Sequence, residues 1–273
     1  MSDRESPHSI RSSVWREEAE VDNPFTAATC YCRGYDVYGD LLGKISYIEY
    51  LYLLFKGERP EPVVTASLEI LAIALANPGP RDPSVHAAMA AGVGGSTAAS
   101  ALMAALAVGA GSYGGAREVF LALETWKKNG AELANWRSAF ANPAVPTRQQ
   151  VWPDSEHPPG FDPYGKSCAH PVRQTLSHLS AMMSTGHLAW LLQEREELEM
   201  ITGHPLAMTG VAAAALTDMD FSANEGEMLA LLLRLPGAAI HALEQGKQGF
   251  RQFPFFELNL ENDPGPTFRK EQA

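Results

Sequence analysis

The side chains best equipped for chemistry fall in three short stretches. The first, Gly109-Ala110-Gly111-Ser112-Tyr113-Gly114-Gly115-Ala116-Arg117-Glu118, closes a run with no Asp, Glu, Lys or Arg between Asp82 and Arg117. Glycine at that density marks backbone that turns with positive φ or approaches another group closely. The spacing Gly109-x-Gly111-x-x-Gly114 also fits a dinucleotide-binding fingerprint, which needs a strand before it and a helix after it. Ser100 to Val108 is instead rich in helix formers and almost free of β-branching. The stretch is therefore expected to be a tight helix junction or the floor of a site. A strand before Gly109 would restore a nucleotide-binding oxidoreductase.

The second stretch runs from Pro159 to Arg173 and carries Asp162, Cys168, His170 and Arg173. Asp162, Cys168 and His170 could form an acid/base or nucleophilic set. A Cys and a His two residues apart also arise by chance, and His170-Pro171 equally suits the start of a helix. The third stretch, Leu233 to Glu244, holds Arg234, with Arg251 beyond it in Gly249-Phe250-Arg251-Gln252-Phe253-Pro254. A guanidinium is the natural bidentate partner of a carboxylate; the alternative is an arginine at the end of a surface helix. His178, His187 and His204 show no metal-ligand spacing, and no metal is expected.

The chain has 273 residues, 45% hydrophobic and 19% charged, which is ordinary globular composition for one large domain or two modest ones. A net charge of −11 argues against nucleic acid or an anionic membrane as partners. Cys30, Cys32 and Cys168 make no disulfide framework and read as reduced thiols of a cytoplasmic protein. Met1 to Ser6 contains no apolar signal core. The uncharged run Pro83 to Ala116 is mostly Ala, Gly and Ser, too weakly apolar for a membrane span. It reads as helices packed closely in a core.

The elements that must position these residues read as helices. Ser46 with Glu49 is a capping box, and Gly57 with Pro60 ends that helix. Glu61 to Ala76 is a second helix, stopped at Asn77-Pro78-Gly79-Pro80. Asp82-Pro83-Ser84 caps the Ala-rich helices. Val119 to Trp136 reads as one or two helices broken near Asn129-Gly130, and Asn142 to Pro159 as a loop. Further helices are expected over Gln174–Leu192, Glu194–Thr202, Thr209–Thr217 and Glu225–Gln245, the last ended by Gly246. Residues 1–23 form a polar arm. No strand-rich region is expected, so the fold class is all-α.

Three of these strings together resemble the citrate synthase superfamily at the short length of its citryl-CoA-lyase-like branch. They are Gly34-Tyr-Asp followed by a Ser-x-x-Glu helix ending in Leu53-Leu54-x-x-Gly57, the Gly114-Gly115-Ala116-x-Glu118 motif, and the helix Arg234-x-x-Gly237-x-x-x-His241-x-x-Glu244. The resemblance implies a large helical domain of residues 1–116 and 210–273, a small one of 117–209, and a cleft between them. It implies chemistry joining an acyl-CoA thioester to a 2-oxo acid, or the reverse, with coenzyme A as part of a substrate and no tightly bound cofactor. In such proteins two histidines and an aspartate carry the reaction. Their positions fall here on Tyr113, Pro163 and Thr209, none of which conserves the chemistry. Arg234 falls on a substrate-carboxylate arginine, Arg173 lies in the segment matching an Asp-Pro-Arg, and Arg251 lies where an arginine crosses a dimer. The resemblance thus implies either a carboxylate- or acyl-CoA-binding subunit, as homodimer or beside a catalytic paralogue, or an active enzyme with a rewired site built on Tyr113, Asp162 and His170.

Overall fold

The computed structural model of the chain describes residues 12–141 and 157–253. Among the described residues ten α-helices follow a small N-terminal sheet: α1 Tyr47–Lys56, α2 Pro62–Ala76, α3 Pro83–Val93, α4 Ala98–Gly109, α5 Ala116–Asn129, α6 Leu133–Ala141, α7 His170–Met182, α8 His187–Thr202, α9 Met208–Asp218 and α10 Ala223–Gln248. The fold class is all-α, as expected. The sheet is the exception, with β1 Trp15–Ala19, β2 Ala27–Cys32 and β3 Tyr35–Asp36 in antiparallel order. Charged and exposed residues in β1 hide it from a search for apolar alternation.

Most helix ends lie where local chemistry puts them. Both reciprocal hydrogen bonds of the Ser46/Glu49 capping box are present, and α1 ends at Gly57 with φ +84°. The Ser46 backbone N–H, with help from Arg59, holds the Glu49 carboxyl below its ordinary range. Asp82 caps α3, Thr97 caps α4, and Ser222 with Glu225 opens α10 with a second capping box.

Two of the boundaries that differ from the sequence expectation have tertiary causes. The break expected at Gln193 falls instead at Met183–Gly186, because the first turn of α8 is capped from a distance. Asp218 accepts from the backbone N–H groups of His187 at 2.8 Å and Leu188 at 2.9 Å. Gly186 enters that turn at φ +93°, and a Cβ there would sit 2.6 Å from Asp218 Oδ1. Gly246 does not end α10, which runs on to Gly249. Its job is packing: it faces the Gly92 carbonyl of α3, and a Cβ on Gly92 would land on the Ala242 carbonyl oxygen.

Two cores result. Ala88, Ala101, Ala105, Ala238 and Ala242 join α3, α4 and α10 with backbones in close approach. The larger core surrounds α9, in which every residue from Thr209 to Leu216 is buried. Helices α5, α7 and α8 enclose it through Trp126, Leu176, Leu179, Leu188 and Leu191. Helix α10 is also the one described helix long and apolar enough to cross a membrane, but it lies against α3, α4 and α5. A helix that packs on three sides reads as apolar for that reason. Helices α4 and α10 leave Met103, Val108, Leu232, Ile240 and Leu243 exposed.

Candidate functional site

No strand leads directly into Gly109; helix α4 does. That removes the dinucleotide fingerprint, which cannot form without one. The stretch is instead the junction of α4 and α5, and its glycines answer to close contacts. A Cβ on Gly115 would strike the Gly111 and Gly109 carbonyl oxygens, and Gly114 adopts φ +67°.

Glu118 organises the junction. It is only 1% exposed and stands at the third position of α5, from which a glutamate can reach back past the helix start. The Gly114 N–H donates to its Oε2. The Gly160 N–H donates to Oε1 at 3.0 Å, and the Thr209 hydroxyl donates to the same oxygen at 2.8 Å. His157 Nε2 lies 3.5 Å from Oε1, its side chain fully buried. A carboxylate taken out of water is tolerable only with donors on its lone pairs. Those donors come from three separate segments: the α4–α5 junction, the loop at Gly160, and the first turn of α9.

That loop is held from its other side as well. Ala207 N–H donates to the Gly160 carbonyl at 2.9 Å, Asp162 N–H to the Pro205 carbonyl at 2.7 Å, and Phe161 bridges Leu206. Gly160, at φ +91°, faces Gly210 backbone to backbone: a Cβ on Gly160 would sit 2.9 Å from the Gly210 Cα. No larger residue fits either side.

Arg234 completes the arrangement from α10. Its Nη1 donates to the Gly114 carbonyl at 2.8 Å, while Nη2 reaches Asp82 Oδ2 at 2.5 Å and Ser84 Oγ at 3.4 Å. Gly114 is thus held on both peptide groups, its N–H by Glu118 and its carbonyl by Arg234. Asp82 meanwhile accepts from the Ser84 N–H and hydroxyl at 2.9 Å and 2.5 Å, capping α3 with the same carboxylate.

The remaining candidates divide. Tyr113 is 46% exposed, and its ring centroid lies 5.3 Å from that of His157. Thr209 is buried and joined to Glu118. Pro163 follows the Phe161 bridge and offers no donor. Asp162 turns its carboxylate onto its own loop, accepting from Tyr164 N–H at 2.8 Å. His170 is exposed in the first turn of α7. Cys168 is buried, and burial pushes its thiol up, which disfavours the thiolate. Among the described residues no hydrogen bond or ion pair joins Asp162, Cys168 and His170. Arg173 and Arg251 are exposed and form no ion pair among the described residues. His157 is the residue that sequence reading missed. It ends a segment that reads as a loop, and residues 142–156 of that segment lie outside the described residues. Nothing in its local pattern announces a partner 39 positions earlier.

Among the described residues no three His, Cys, Asp or Glu side chains gather as a metal set. The site is a buried carboxylate, a buried histidine and a largely buried guanidinium, with one exposed phenol beside the histidine. No carboxylate stands at the Thr209 position.

No protein-family model matches the chain, and no curated protein matches it. Solved structures do. Citryl-CoA lyase from Hydrogenobacter thermophilus superimposes with a TM-score of 0.70 at 18% identity, over 93% of this chain and 97% of that one. ATP citrate lyase from Methanosaeta concilii, in complex with (3S)-citryl-CoA, matches at TM-score 0.66 and 17% identity. That from Methanothrix soehngenii, with citrate and coenzyme A, matches at 0.65 and 17%. This chain covers 40% of each ATP citrate lyase chain. It has the fold of citryl-CoA lyase, a citrate-synthase-like fold.

Replacing Glu118 leaves three donors from three segments without an acceptor. Glu118→Ala should cost about 3–5 kcal/mol of unfolding free energy, the range for breaking a buried charged network. Urea denaturation checks it; a loss under about 1 kcal/mol would show that the carboxylate does not organise the site.

Proposed function

We propose that this chain is a carboxylate- or acyl-CoA-binding protein of the citrate-synthase-like fold without standard synthase turnover, acting as a regulatory or complementary subunit. One observation carries the reading. Thr209 occupies the position that the resemblance gives to the proton-abstracting aspartate, and its hydroxyl donates to a buried carboxylate at 2.8 Å. A threonine so engaged cannot take a proton from carbon. Pro163 and Tyr113 at the two histidine positions point the same way. Losing one such group lowers a rate by orders of magnitude.

In this reading Arg234 is the carboxylate-reading residue, with Arg173 and Arg251 as further binding groups. Coenzyme A enters as part of a thioester ligand rather than as a resident cofactor. The chain would divide into a large domain, 1–116 with 210–273, and a small domain, 117–209, around a cleft. Its assembly would be a cytoplasmic dimer, either with itself or with a catalytic paralogue. The apolar residues that α4 and α10 leave exposed support such a face. A second reading, an active carbon–carbon lyase or synthase on a different substrate, is favoured by His157. That ring stands beside Tyr113 and against Glu118, where a proton-transfer group could replace a missing histidine.

A coupled thiol-release assay with acetyl-CoA or propionyl-CoA plus oxaloacetate decides the main point. The isolated chain should give no measurable turnover; a rate near 1 s⁻¹ or above, about the low end of ordinary enzymes, sinks the reading. Calorimetry with citrate-like acids should show binding that Arg234→Ala weakens by about 1.5–3 kcal/mol, typical of hydrogen bonds to a charged group. Equal affinity would take Arg234 out of the site. For assembly, co-expression with a paralogue retaining both histidines and the aspartate should yield a heterodimer by native mass measurement. Arg251→Ala should then lower the partner's rate. A homodimer alone, or an unchanged rate, ends the complementation idea.

A further inference from the structure

Arg234 already holds a carboxylate. Asp82 Oδ2 lies 2.5 Å from Nη2, and the two side chains are only 12% and 15% exposed. A guanidinium that grips one carboxylate in this geometry suits another. The cavity against it, lined by Ser84, Leu106, Gly109 and Leu231 among others, measures about 10 Å³, about the room of a single water. An external carboxylate does not fit in that cavity, and it can engage Nη2, which donates to Asp82 Oδ2 and Ser84 Oγ, only where Asp82 gives way. Nor can the arginine swing out freely, since Nη1 is bound to the Gly114 carbonyl at 2.8 Å. The exchangeable member of the pair is the aspartate.

We infer that Asp82 is a built-in occupant of the Arg234 site, an internal carboxylate that an acidic ligand must displace in order to bind. The inference rests on the reading of Arg234 as a carboxylate-binding residue. It adds that the ground state of this site is self-filled, so that Asp82 sets which acids enter. A monoanion only exchanges one carboxylate for another at Arg234, whereas a di- or tricarboxylate keeps further carboxylates free to bind other donors and so offset the cost of displacing Asp82. Asp82 has a second duty that shapes the exchange. Its Oδ1 caps α3 through the Ser84 N–H at 2.9 Å, so displacement that keeps Oδ1 in place leaves the helix start intact.

Asp82→Asn separates the two duties. Asparagine caps a helix about as well as aspartate but brings no charge to Arg234. Calorimetry with citrate should show Asp82→Asn binding at least about tenfold more tightly than the unsubstituted chain, a change of about 1.4 kcal/mol. The double variant Asp82→Asn/Arg234→Ala should lose that gain. Unchanged or weaker binding in Asp82→Asn, with Arg234→Ala still harmful, overturns the built-in occupant and leaves the carboxylate reading standing. A second measurement needs no ligand: modification of Arg234 by phenylglyoxal, followed by mass measurement. Asp82→Asn should speed it several-fold. If no protein binds citrate, the carboxylate reading of Arg234 falls, and equal modification rates overturn the occupancy as well.

Discussion

A carboxylate with almost no exposure to water is the constraint on which this structure depends. Glu118 has to be surrounded by donors, because a bare charge in a low-dielectric interior would cost many kcal/mol. The fold meets that requirement with a glycine N–H from the α4–α5 junction, a glycine N–H from the Gly160 loop and a hydroxyl from α9. Each donor fixes a segment that would otherwise be a free connection. The loop at Gly160 is thereby pressed so closely on α9 that only glycine fits at Gly160 and Gly210.

The same demand reaches α10 and α3 through one residue. Gly114 gives its N–H to Glu118 and its carbonyl to Arg234, and Arg234 in turn holds Asp82 at the start of α3. Buried polar groups in such a chain support one another, since satisfying one positions the next. Close helix contacts make the chain short enough to work. The α3–α10 approach at Gly92, Ala242 and Gly246 leaves no space for larger side chains. The glycines there, which in an isolated helix would only weaken it, let α3 and α10 approach closely, and the Asp82 end of α3 meets Arg234.

Chemistry at the site is set by what these contacts leave over. Thr209 is engaged, Pro163 has no side-chain donor, and Asp162 serves its own turn. Tyr113 keeps a phenol at the surface beside His157. The proposed binding function draws on that hydroxyl and on the Arg234 guanidinium, donors suited to an anionic or carbonyl oxygen.

Much of this architecture is legible in sequence because its causes are local. The Ser46/Glu49 box, the Gly57 stop, the Asp82-Pro83 start and the helical reading before Gly109 all depend on residues within a few positions of one another. The motif strings around Gly34, Gly114 and Arg234 likewise point to the fold before any coordinates. What the sequence by itself could not determine are features whose partners lie far along the chain. Helix α8 starts at His187 because Asp218, 31 positions later, caps it. Helix α10 runs through Gly246 because Gly92 packs on it. His157 meets Glu118, and Asp82 meets Arg234, across 39 and 152 positions. Periodicity and propensity report only what a residue does to its own turn. Which carboxylate a guanidinium finds, and whether it is the protein's own, is decided by tertiary packing, because ion pairing depends on distance in space rather than along the chain.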